Sequence, residues 1–231
     1  VPLLAVVSEV RIKNALARTL LQTYVGPHAS EEILAGATTR GSGVTLSAAV
    51  LIFDIRGFTA ITNAWPRDDV IGLLNSYFDA IADPIDRNGG EILKFMGDGL
   101  LAVFPLEKEH ALENTFKAVI EAHAAMSVLN DINTARGRPS VECGIGVHVG
   151  DVMYGNIGSK RRLDFTVIGP AVNIASRLET LTKTVHHPVL LSEDFVLMGH
   201  LEPFVEPLGA YKLKGLNEPM NVFALKLADA V

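Results

Sequence analysis

The stretch Ala48–Asp54, AAVLIFD, leaves this chain the least freedom. Its first six residues are apolar without a break and include Val50, Ile52 and Phe53. A strand with one wet face would alternate, so an unbroken run reads as a strand covered on both faces. Covering both faces requires other elements packed against the sheet, so the rest of the chain must supply layers around this strand. The run ends on Asp54, and a carboxylate at the end of a buried strand needs a partner for its charge.

The flanking pattern supplies the layers. Residues 1–24 read as a helix, with Val6, Val10, Ile12, Leu16, Leu20 and Leu21 at roughly helical spacing, stopped at Gly26-Pro27. Residues 29–36 suggest a short helical turn, and Thr38–Ser47 is polar and glycine-rich, which reads as a linker. Asp68–Asp83 reads as an amphipathic helix and Glu109–Asn133 as a long helix. Glu91–Phe95 and Leu100–Phe104 read as two strands joined through Gly97-Asp98-Gly99, a strong hairpin signal. Val141–Val149 and Val152–Ile157 read as two strands with a turn at Gly150-Asp151, followed by a strand at Asp164–Ile168 and a helix at Pro170–Thr182. The tail ends in a strand over Val222–Leu227. Hairpin-linked strands mixed with helices imply an α+β fold with a mostly antiparallel sheet.

With 231 residues, one domain with a helical appendage is expected, divided at residues 1–45 and 46–231. The composition, 48% apolar and 20% charged, suits a globular domain with a real core. A net charge of −6 argues against nucleic acid, which calls for a basic footprint, but leaves room for a small anionic ligand in a local basic pocket. Cys143 is the one cysteine, so no intramolecular disulfide forms and a reduced, cytoplasmic setting is expected. No apolar run reaches the ~20 residues of a membrane helix. The sequence begins at Val1 rather than Met and reads as a piece of something longer, whose other segments could hold it at a membrane.

Asp54 and Asp98 are the chemically suggestive pair. Neighbouring strands would bring them to one sheet edge, where two carboxylates could serve hard divalent cations in an in-line displacement at phosphorus. Taken singly, Asp98 is more simply a turn residue and Asp54 a helix cap. The turn Ile55-Arg56-Gly57-Phe58-Thr59 follows Asp54, and a glycine-bearing turn into a helix leaves backbone N–H groups that suit phosphate. Asn173 and Arg177 lie four apart on a predicted helix and so face the same way. Alone, Arg177 reads as a surface ion pair with Glu179 or another acid, and Lys94 as a strand-edge lysine reaching for water.

Together, FDIRGFT (Phe53–Thr59), ILKFMGDGLLAVF (Ile92–Phe104), VGDVMYGNIG (Val149–Gly158) and VIGPAVNIASRLE (Val167–Glu179) resemble the class III nucleotidyl cyclases over residues 46–227. The resemblance implies an α+β, ferredoxin-like palm-type antiparallel sheet flanked by helices. It also implies a head-to-tail homodimer with active sites at the interface, and ATP converted to cyclic AMP with two Mg²⁺ or Mn²⁺. It assigns the metals to Asp54, Asp98 and the Ile55 carbonyl, and the β- and γ-phosphates to the backbone of Gly57, Phe58 and Thr59. Lys94 and Thr166 fall where the purine is read, Asn173 and Arg177 near the ribose and transition state, and Lys214 at the terminal phosphates. Many family members carry Asp where Thr166 stands. The Lys–Thr pair resembles the class IIIb subgroup, which includes bicarbonate-responsive cyclases, and bicarbonate as a partner is implied by that resemblance alone. Guanylate cyclases typically pair Glu with Cys at these two places, so the pair favours ATP over GTP. The alternatives are a guanylate cyclase or a non-catalytic nucleotide-binding domain. His148 reads as a sheet histidine, His186-His187 as a surface loop, and Gly144-Ile145-Gly146 lacks the following helix of a dinucleotide fingerprint.

Overall fold

The computed structural model describes residues 2–37 and 39–226. Val1, Thr38 within the expected linker, and residues 227–231, including the end of the expected Val222–Leu227 strand, lie outside them. In chain order the elements are α1 (Pro2–Val25), α2 (Pro27–Leu34), β1 (Gly43–Ile55), α3 (Phe58–Ala64), α4 (Arg67–Arg87), β2 (Glu91–Met96), β3 (Gly99–Pro105), α5 (Ala111–Ala135), β4 (Cys143–Gly158), β5 (Leu163–Ile168), α6 (Pro170–Val185), β6 (Val189–Ser192), α7 (Glu193–Met198), β7 (Val205–Tyr211) and β8 (Met220–Leu225). They fall into two compact units, one of residues 1–45 and 153–167, the other of 46–152 and 168–231.

The larger unit holds the core. Strand order is β2-β3-β1-β4-β6-β8-β7, and the first four strands with α4 and α5 repeat a βαβ pattern twice, the ferredoxin-like arrangement expected from the sequence. β1–β3, β2–β3, β6–β8 and β7–β8 are antiparallel, and β4–β6 is parallel. Leu51, Phe53 and Ile55 of β1 meet Leu73, Tyr77 and Ile81 of α4, Phe116 and Val119 of α5, and Leu100 and Phe104 of β3 in one cluster. Ile174 and Leu178 of α6 pack instead with Leu190, Leu213, Val222 and Ala224. β1 is therefore buried over Ala48–Phe53, as its unbroken apolar run requires. Tyr77 Oη donates to Asn130 Oδ1 at 2.6 Å, and Asn130 in turn bonds the backbone of Val141 in both directions, pinning α4 and α5 to the approach of β4.

Two expectations are corrected. Gly43–Ser47 is not linker but the start of β1. Side chains at Gly43 or Gly155 would overlap the backbone of the other segment, so these glycines permit close approach rather than flexibility. The chain also does not turn at Gly150-Asp151, and β4 runs unbroken from Cys143 to Gly158. A Cβ on Gly150 would stand 3.2 Å from that of Ala171, so this glycine makes room for α6. Asp151, exposed on the strand, accepts a hydrogen bond from Ser47 Oγ at 2.5 Å.

In the smaller unit α1 and α2 precede the hairpin of β4 and β5. Asn156 Nδ2 donates to Ala37 O at 2.5 Å and to Ser42 Oγ at 3.1 Å, and His28 stacks on Tyr154 with ring centroids 5.2 Å apart. Among the described residues no helix is long and apolar enough to cross a membrane.

Candidate active site

β1 and β3 pair from Ala48↔Pro105 to Asp54↔Gly99, so Asp54 is brought beside the β2–β3 turn that carries Asp98. The Ile55 N–H donates to the Asp98 carbonyl at 3.3 Å and closes that end of the ladder. Gly97 adopts φ 70°, the left-handed conformation a tight turn asks of glycine. Gly99 keeps the edge open: a Cβ there would reach 2.5 Å from Phe53 O and 3.2 Å from Asp54 Oδ1.

Burial pushes the Asp98 carboxyl above the ordinary range, and the charge of Asp54 adds to it while Lys183 opposes it. The Asp98 carboxyl therefore feels the charge of Asp54 at this end of the ladder. Among the described residues no cluster of three or more His, Cys, Asp or Glu could hold a metal. Two carboxylates and nearby carbonyls form an all-oxygen donor set too small for a protein cage. It suits Mg²⁺ or Mn²⁺, which keep water and phosphate oxygens.

The turn after Asp54 puts Gly57 at φ 66° as the residue preceding α3, with Phe58 and Thr59 in its first turn. Arg56, in the same turn, reaches α6. Its Nη2 lies 3.5 Å from Glu179 Oε1 and donates to the Glu179 carbonyl at 3.4 Å. Glu179 is 5% exposed, and burial pushes its carboxyl up, with Asp54 adding to the rise and Lys183 and Arg56 opposing it. Lys183, one turn further along α6, donates to Asp54 Oδ2 at 3.3 Å and stands 3.9 Å from Glu179 Oε1. A cleft of about 580 Å³ lined by Arg56, His123, Glu142, Lys183 and His186 lies beside this network, with neither aspartate in its wall.

Asn173 is exposed and Arg177 half-buried on α6. A Cβ on Gly215 would stand 3.1 Å from Arg177 Nη2, so Arg177 lies against the turn that carries exposed Lys214. Lys94 is exposed on the terminal strand β2, just after a bulge between Ile92 and Lys94. Thr166 is half-buried on β5 in the smaller unit. The geometry thus brings Asp54 to Asp98 and Arg177 to the Lys214 turn. His148 is buried in the sheet, with Nδ1 2.8 Å from Ser192 Oγ.

Sequence reasoning missed Lys183 and Arg56, and it gave Glu179 no part in the site. The i,i+4 spacing of Glu179 and Lys183 was visible, but Asp54 and Lys183 are 129 residues apart and only the fold joins them.

The sheet is ferredoxin-like, with Asp54 at the end of β1 beside the turn that carries Asp98. The sequence matches the adenylate and guanylate cyclase catalytic domain over residues 44–227, and the chain belongs to that family. An adenylate cyclase of Anabaena cylindrica is 32% identical over 88% of this chain and 40% of its own length. The structure of a bacterial light-regulated adenylyl cyclase superposes with a TM-score of 0.81 at 24% identity, over 96% of this chain and 63% of that one. The guanylyl cyclase Cya2 superposes with a TM-score of 0.70 at 29% identity, over 79% and 93%. The chain thus spans 40% of the length of the Anabaena relative.

Proposed function

We propose that this domain converts ATP to 3′,5′-cyclic AMP and pyrophosphate. The observation that carries the reading is the Asp54–Asp98 pair at the end of the β1–β3 ladder, in a chain of the cyclase family. Divalent ions held by Asp54, Asp98 and the Ile55 carbonyl would supply charge neutralisation of the triphosphate and acidify the ribose 3′-hydroxyl. The ribose 3′-hydroxyl gives its proton to solvent, its oxygen forms a bond to the α-phosphorus, the bond to the bridging oxygen breaks in line, and pyrophosphate departs. The backbone of Gly57, Phe58 and Thr59 positions the β- and γ-phosphates. Arg177 stabilises the charge that develops at phosphorus, and Lys214 that on the leaving pyrophosphate. Asn173 orients the ribose. Most of the rate comes from holding these groups in place.

Lys94 and Thr166 select the base. An ammonium donates to adenine N1, and a threonine hydroxyl accepts from the 6-amino group. Guanine reverses that donor and acceptor order, which is the argument for ATP over GTP. The same residues favour assembly of the site across a homodimer, one chain giving the aspartates and its partner Lys94, Thr166, Asn173, Arg177 and Lys214. Bicarbonate responsiveness, a property of the subgroup with the Lys–Thr pair, is tested by titrating bicarbonate into the purified protein.

The testing experiment is Mn²⁺-ATP turnover by Asp54→Ala and Asp98→Ala proteins with unchanged circular dichroism. Each is expected to lose on the order of 10³-fold or more. A fully active Asp54→Ala protein would sink the assignment.

A further inference from the structure

Lys183 stands at an odd place for a surface lysine. Its nitrogen touches Asp54, a proposed metal ligand, at 3.3 Å and lies 3.9 Å from Glu179 Oε1. Two carboxylates compete for one ammonium without any shift of backbone. The Asp54 contact is the more exposed, with Lys183 50% and Asp54 28% accessible in their side chains, and such pairs are weak. Glu179 is the opposite case. Its side chain is 7% accessible, and Oε1 is buried with an ionic contact to Arg56 but no hydrogen bond. A buried carboxylate oxygen with unused acceptor capacity is a resting place for a donor.

We propose that Lys183 is a resident counter-cation of Asp54 that competes with the divalent ion, withdrawing to Glu179 when the ion binds and so setting the metal affinity of the site. The inference rests on the metal role given to Asp54. A dication at Asp54 repels an ammonium at 3.3 Å, and the lysine stem needs only to swing toward an acceptor already within 4 Å. Charge near Asp54 then stays balanced in both states. Glu179 receives the displaced cation, and Arg56 holds its carbonyl and carboxylate in place meanwhile.

The test is Mn²⁺ binding without nucleotide, read from the electron paramagnetic resonance of free Mn²⁺ up to millimolar concentration. It compares the parent chain with Asp54→Asn, Lys183→Met and Lys183→Gln, each checked for parental circular dichroism. Both Lys183 variants are expected to bind Mn²⁺ about fivefold more tightly, the factor equivalent to ~1 kcal/mol, and Asp54→Asn to lose binding. If Asp54→Asn abolishes binding while the Lys183 variants bind as the parent or more weakly, Lys183 is no competitor and only this inference falls. If Asp54→Asn binds Mn²⁺ as the parent does, the metal reading itself fails and this inference with it.

Discussion

Replacing Gly146 by Ala should damage both stability and turnover through one displacement. Gly146 lies in β4 where α6 crosses closest, and an added Cβ would overlap the Ala175 carbonyl oxygen and the Glu179 nitrogen and stand 3.1 Å from Glu179 Cα. All three atoms are helix backbone, which cannot rotate away. Carbon contacts settle near 3.5–4 Å, so α6 must withdraw by about 1 Å. Overpacking of this kind costs ~2 kcal/mol, or roughly 4–8 °C in Tm for a chain of this size. The helix carries Asn173 and Arg177 between and beside the displaced residues, so the same shift moves the groups proposed for the transition state. A 1 Å misplacement costs on the order of 10²-fold in rate. Differential scanning calorimetry and a cyclic AMP assay on the Gly146→Ala protein read the two effects. A variant with parental Tm and parental turnover would refute the claim that α6 is seated on this glycine.

Glu179→Ala leaves the Arg56 guanidinium buried without its carboxylate and should destabilise the domain by about 3 kcal/mol in urea unfolding, much of it recovered in an Arg56→Met, Glu179→Leu double variant. Burial holds His148 below its ordinary value of 6.5, with Asp194 opposing, and holds His123 below it likewise, so folding favours the neutral form of each. Their contribution to stability is present above pH 6.5 and is lost as pH falls toward the folded values, because the unfolded chain then takes up protons the folded chain refuses. A His148→Asn variant should show a shallower fall of Tm below pH 6.5. Burial pushes the Cys143 thiol up to about 12, so a disulfide reagent at pH 8 should leave it unmodified in the native protein and titrate one thiol in guanidinium.

The legible parts of this molecule are those where local pattern and final environment agree. The Ala48–Phe53 run is buried because its neighbours on both faces are, and Gly97-Asp98-Gly99 forms its turn from local chemistry alone. Asp54 and Asp98 could be paired in advance because adjacent strands were readable on either side of them. Glycine was the residue that misled. Gly43 and Gly150 looked like punctuation, yet each sits in a strand where another segment comes too close for a side chain. Nothing local separates a glycine that turns from one that makes room. The burial of Glu179 was not legible for a related reason: Arg56 reaches it from a turn 123 residues away in the sequence. The Lys94 and Thr166 roles came from resemblance, since an exposed lysine on an edge strand and a half-buried threonine are unremarkable by themselves.

The measurement that tests the central claim most directly is product analysis after incubating the purified chain with equal ATP and GTP and Mn²⁺, alongside Asp54→Ala, Arg177→Ala and an equimolar mixture of the two. The account predicts cyclic AMP in excess over cyclic GMP from the parent, neither from either variant alone, and cyclic AMP again from the mixture. Cyclic GMP as the main product would contradict the base reading, and cyclic nucleotide made by the Asp54→Ala chain alone would contradict the chemistry.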